Sequence, residues 1–152
     1  MRKKLVPLAA FAVTALILSA VAAGGTHVTK MNFSAVLNAG QEVHPRPVGT
    51  KVGAAGKFTA SVTGTKMTWK LTFSHLTGAA TAAHIHAGKK GIAGAVLVPL
   101  CGGTPVCKSG LSGSATLTSA ELTSMKAGAT YVNVHTAKNP NGEIRGQLKV
   151  TM

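Results

Sequence analysis

Acidic side chains are nearly missing from this sequence: its 152 residues include three, Glu42, Glu121 and Glu143. Calcium and magnesium sites, which need several oxygen ligands, are disfavoured by that shortage. Aromatic residues make up 4% and most lysines stand alone in the chain. The stacking groups and basic stripe of a specific nucleic-acid binder are therefore lacking. No heptads, long repeats or low-complexity tail break the sequence, and no linker divides it.

Base takes the place of acid. Sixteen Lys and Arg residues give a formal net charge of +13, which favours anionic surroundings such as cell-wall polymers, acidic polysaccharide or a lipid surface. The plainer reading is a solvated surface that aids solubility. Part of the charge belongs to the first residues, where MRKK precedes the apolar run LVPLAAFAVTALILSAV and Ala20-Val21-Ala22 offers an A-x-A cleavage site. A signal peptide over 1–22 is expected, with 23–152 exported to the periplasm or secreted as one domain. No charged stop-transfer flank follows, so no transmembrane segment is expected after cleavage. No cysteine beside the site supports lipoprotein processing.

Only Cys101 and Cys107 could pair, across Gly-Gly-Thr-Pro-Val. In an exported chain this predicts a local disulfide. A loop so short contributes on the order of 2–3 kcal/mol in the chain-entropy model. A copper–thiolate role is the alternative, and oxidation would remove it.

Apolar residues recur with a period of two almost throughout, which marks antiparallel strands with one dry face. In KMTWKLTFS, Met67, Trp69, Leu71 and Phe73 alternate with Lys66, Thr68, Lys70, Thr72 and Ser74. The same rhythm runs through 111–118 and 143–150, and further strands are predicted at 31–38, 54–62, 80–87, 94–100 and 130–136. About eight strands in roughly 130 residues imply an all-β antiparallel Greek-key sandwich or barrel. Trp69, Leu71, Phe73, Leu117, Val132, Val134, Ile144 and Leu148 are expected in its core. One short helical turn is predicted after Thr118-Ser119-Ala120-Glu121, whose spacing is that of a capping box, with Gly128 to end it. Residues 41–56, with Pro45, Pro47 and several glycines, read as a loop.

Unusual side chains collect on the faces opposite the apolar ones. His84 and His86 share one face of their strand, Tyr131, Asn133 and His135 share one face of another, and Glu143 and Arg145 oppose Ile144. These residues are expected on one outer surface. Three neutral imidazoles make a first shell for copper, with zinc as the alternative. On this reading His84, His86 and His135 are the ligands. Asn133 and Glu143 fix imidazole tautomers, and Arg145 attracts an anion. Affinity is then expected to fall as pH drops through about 6.5, the unperturbed imidazole value. The alternatives are structural: histidines that bond loops at the barrel end, an exposed Glu143–Arg145 ion pair of little worth, and an Asn133 that serves a nearby loop. No residue is assigned a catalytic role.

FSAVLNAGQEV at 33–43, AAHIHAG at 82–88 and YVNVHTAKNPNGEIRGQL at 131–148 together resemble the chordin-type, or CHRD, domain family. The resemblance implies β architecture over 23–152 and an extracytoplasmic location. It supplies no reaction. In chordin such domains belong to an extracellular antagonist of growth-factor signalling, and bacterial members are exported single-domain proteins. His44 departs from the family, which commonly has Pro there, and the cysteine pair is not a family feature. A more distant similarity is to copper-zinc superoxide dismutase, on His84, His86, His135 and Arg145. It implies metal binding, while the lack of a recognisable bridging His and of the zinc loop with its Asp speaks against dismutase activity. The second function class is a metal-free interaction module, whose partners would be anionic cell-envelope or matrix polymers or another extracytoplasmic protein.

Overall fold

The computed structural model describes residues 29–43 and 45–151. The segment expected to be a signal peptide, 1–22, and His44 lie outside the described residues. Nine strands follow in order: β1 (Lys30–Asn38), β2 (Ala55–Thr63), β3 (Lys66–Ser74), β4 (Ala80–Ala87), β5 (Val96–Cys101), β6 (Leu111–Thr116), β7 (Thr130–Thr136), β8 (Ile144–Gln147) and β9 (Lys149–Thr151). Every pairing is antiparallel. The sheet runs β5-β4-β7-β8-β1-β2-β3-β6, with β9 also on β1, and curls into a nearly closed barrel.

Alternation accounts for most of this. Along β1, β2 and β3 the inward residues Phe33, Leu37, Phe58, Val62, Met67 and Leu71 are almost fully buried, and their neighbours Lys57, Thr59, Lys66, Thr68 and Lys70 are exposed. Burying each large apolar side chain removes it from water at about 1.5–3 kcal/mol. Trp69 stacks on Phe58 with ring centroids 6.3 Å apart. Its ring also fills the space over Gly113, directly opposite on β6; a Cβ there would come within 2.5 Å of the indole. Phe73 departs from the expected core, since near the end of β3 it is only half-buried.

The one α-helix among the described residues, α1 (Ser119–Lys126), begins with the expected capping box: the Thr118 hydroxyl accepts from the Glu121 backbone N–H, and the Glu121 carboxylate accepts from the Thr118 N–H. The pattern over 111–118 therefore ends as a strand at Thr116, because Thr118 is committed to the cap. The strand expected over 143–150 divides at Leu148, so that β8 pairs with β7 and the end of β1 while β9 pairs with Asn32–Ser34.

Cys101 and Cys107 form a disulfide with their Cα atoms 5.2 Å apart. It closes only the loop leaving edge strand β5. Replacing both with serine should lower stability by no more than about 2–3 kcal/mol and leave the far-ultraviolet circular dichroism spectrum unchanged. Global unfolding of that variant would show that the loop does more than close itself.

Candidate metal centre

Strand register builds the centre. On β4, His84 and His86 stand opposite Asn133 and Tyr131 of β7, and His135 stands opposite Ala82. Side chains on paired strands share a face when their residues are opposite or two apart, so the three imidazoles meet. The ring of His84 lies 5.4 Å from His86 and 5.0 Å from His135, centroid to centroid. One ring nitrogen from each residue lies within 4.8 Å of the others.

Two backbone carbonyls orient the rings. His86 Nδ1–H donates to the Gly94 carbonyl at 3.0 Å and His135 Nδ1–H to the Pro140 carbonyl at 2.9 Å. A carbonyl only accepts, so both neutral rings carry their proton on Nδ1 and present a bare Nε2. The Nε2 of His86 is buried with no protein partner. That of His135 accepts from His84 Nδ1 at 3.1 Å. Burial first, and then the charges that His135 and His86 would carry, push the His84 pKa down to about 4. Burial also lowers His135, partly opposed by its bond to Pro140.

These donors fit a transition metal. A tetrahedral shell with bonds of 2.0–2.1 Å spaces its nitrogens by about 3.3 Å. The His84–His135 pair is already that close, and the third nitrogen needs a movement of about 1.5 Å, within the reach of a ring rotation. His84 must also shift its proton to Nε2 for its Nδ1 to serve as a ligand.

The expected outer surface is not at the surface. Every residue of β7 is buried, as are Glu143 and Arg145. Loops cover this face. Arg145 donates through Nη2 to the Lys89 and Ile92 carbonyls, at 3.1 and 2.8 Å, and Gln147 Nε2 donates to the Gly88 carbonyl. The Tyr131 hydroxyl accepts from the Gly94 N–H. Residues 88–94 thus form a strap pinned at both ends, and its Gly94 carbonyl fixes His86. Tyr131 also stacks on His86 at 5.0 Å and lies beneath the Arg145 guanidinium, 3.3 Å from the ring centre.

The strand faces predict Asn133, Glu143 and Arg145 beside the histidines, and the contacts these residues make are different ones. Glu143 accepts from Thr77 N–H, Thr77 Oγ1 and Thr136 Oγ1, at 2.6–2.7 Å, and so ties the 75–79 loop to β7. It forms no surface ion pair with Arg145. Asn133 Oδ1 is buried without a partner, and Asn133 bonds no imidazole among the described residues. The orienting groups are instead the carbonyls of Gly94 and Pro140, which side-chain chemistry could not reveal. Their one trace in the sequence is that each lies in a Gly- or Pro-containing turn.

No helix among the described residues is long and apolar enough to cross a membrane. No curated protein and no solved structure matches the chain, so the similarity to copper-zinc superoxide dismutase finds no support there. The CHRD domain matches residues 33–148, a span that begins in β1, ends just after β8 and includes all three histidines. The chain belongs to the CHRD domain family.

Proposed function

We propose that this CHRD domain is an exported module that binds one transition metal ion, copper foremost, through His84, His86 and His135. The observation that carries the reading is the Nε2 of His86, buried and unpartnered beside two other imidazoles whose charged forms are disfavoured. A buried polar atom without a partner costs about 1–3 kcal/mol, and a metal would relieve it. Among the described His, Cys, Asp and Glu side chains the three that cluster are all imidazoles, and the two cysteines are tied in a disulfide. Among divalent ions such a set favours copper, and imidazole ligands also suit zinc. Storage, delivery and limited redox chemistry all suit this arrangement. Metal-stripped protein should take up one equivalent of Cu(II), with nitrogen hyperfine structure from imidazoles in its electron paramagnetic resonance spectrum. Failure to bind tightly would return the histidines to a structural role.

A second reading, an anionic polymer as partner, has its own support. The outer face of β1, β2 and β3 sets Lys30, Lys57, Lys66 and Lys70 among serines and threonines, with Thr59 between Ser34 and Lys70 in register. Lysines that stand apart in sequence are clustered here. Neither Glu42 nor Glu143 opposes them, since both are buried, and Glu121 sits in the helix cap. Replacing Lys57, Lys66 and Lys70 with Gln should lower the salt concentration that releases the protein from dextran sulfate. The same changes at Lys89, Lys126 and Lys138 should lower it much less. Equal losses would mean that net charge, and not this face, is responsible.

A further inference from the structure

The loops over the sheet enclose a second recess, over β8 and β1 where the histidines are over β4 and β7. It measures about 570 Å³, and Asn38, Glu42, Arg46, Lys90, Arg145 and Gln147 line it. That volume suits a small molecule. Its three cations come from three separate segments of the chain, and their mutual repulsion is answered by one carboxylate. Glu42 answers weakly: burial, against the pull of Arg145, pushes its pKa up to about 7. A hydroxyl partner can therefore find Glu42 as either donor or acceptor.

The lining is also incompletely satisfied. Arg145 Nη1, Glu42 Oε1 and Gln147 Oε1 are buried and have no protein partner. Arg145 and Gln147 cannot simply turn to find one. Arg145 is held by the Lys89 and Ile92 carbonyls through Nη2, and Gln147 spends its Nε2 on the carbonyls of Gly88, Gly128 and Thr130. Arg46, at the exposed rim, donates to the Gly40 carbonyl at 2.9 Å. Cationic donors call for an anion, and a planar carboxylate matches a guanidinium best. The unpaired oxygens of Glu42 and Gln147 call for donors on the same ligand.

We propose that the recess between Arg46, Lys90 and Arg145 binds a small hydroxylated carboxylate of the uronic acid type. Its carboxylate meets the cations, and its hydroxyls meet Glu42 and Gln147. The same chemistry is offered by a free sugar acid and by a residue of an acidic polysaccharide. Among the described residues no histidine lines the recess, and none of the ligand's proposed contacts involves His84, His86 or His135.

The test is titration of the isotope-labelled, metal-free mature chain with galacturonate, followed through the amide signals of Gly40, Lys90 and Gly91. Saturable shifts at these positions are expected, with galactose and acetate at least about tenfold weaker because each offers half of the recognition. Arg46→Gln and Lys90→Gln, both at exposed positions, should each weaken galacturonate about tenfold, the scale of one charge-assisted hydrogen bond. Lys108→Gln and His75→Ala, both exposed and outside the recess, should leave it unchanged. Trigalacturonate binding more tightly than galacturonate assigns the ligand to a polymer, and equal affinity assigns it to a free sugar acid; either result upholds the site. Galactose binding as well as galacturonate, or no saturable shift, overturns it.

Discussion

Replacing His135 with alanine should weaken Cu(II) binding by more than about a hundredfold, beyond the 10–100-fold that loss of an outer partner typically costs. The substitution removes an Nε2 that the Pro140 carbonyl has already aimed, and it leaves His84 Nδ1 without its present partner. His75→Ala should change nothing, because that ring is exposed and, among the described residues, bonds only Ser74. Arg145→Ala should fall between them. Its guanidinium does not coordinate, but it holds the strap whose Gly94 carbonyl orients His86. Competition against a chelator of known affinity separates the three outcomes, and equal losses from all three substitutions would sink the site.

The pH dependence of the same binding is a second readout. Three imidazoles of unperturbed pKa near 6.5 would lose roughly a thousandfold in affinity between pH 7.5 and 5.5, as protons displace the metal. Here His84 stays neutral to about pH 4 and His135 is also lowered, so the loss should be far smaller. Between pH 6.5 and about 4 the unfolded chain takes up protons that the folded His84 refuses, so the contribution of His84 to the stability of the metal-free protein falls as pH falls through this window. Glu42, raised by burial to about 7, acts in the opposite sense over the same range, so the readout is the difference between the wild-type protein and His84→Ala. The variant should lose less stability, or gain more, between pH 7 and 4.5, and parallel profiles would contradict the buried environment of His84.

What periodicity could show was the side on which each residue projects. It separates Val132 and Val134 from Tyr131, Asn133 and His135, and the strands carry them that way. It could not show that both sides of β7 are dry. The cover over the polar face comes from residues 88–94, 75–79, 41–43 and 45–50, remote in sequence from β7 and attached by bonds such as Arg145 to Ile92 and Asn139 to Val48. Exposure was inferred from polarity, and here polarity marks side chains that hold loops down. Meeting of the histidines was legible because it follows from strand alternation once β4 lies beside β7. Their orientation was not, since backbone carbonyls supply it.

Glu143→Ala should lower stability by about 3 kcal/mol, whereas Glu143→Gln should cost about 1. The carboxylate is fully buried and serves three donors, and hydrogen bonds to a charged group contribute about 1.5–3 kcal/mol each, without full additivity. Alanine strands the Thr77 N–H and frees the 75–79 loop from β7. Glutamine can keep its oxygen on that N–H and turn its amide toward the Thr77 and Thr136 hydroxyls, which then accept. Charge is the remaining difference, and it is visible in acid. Burial alone would raise the Glu143 pKa, but the bonds from Thr77, Thr136 and Asn139 outweigh it and hold the group below its usual 4.5. Its contribution is present above pH 4.5 and is lost as pH falls through the lowered value, where the unfolded chain binds the proton first. Below pH 4.5 the wild-type protein should therefore lose stability more steeply than Glu143→Gln. Urea unfolding of both at pH 7 and pH 3.5 measures this, and parallel losses would show that the carboxylate's charge contributes nothing to holding the loop.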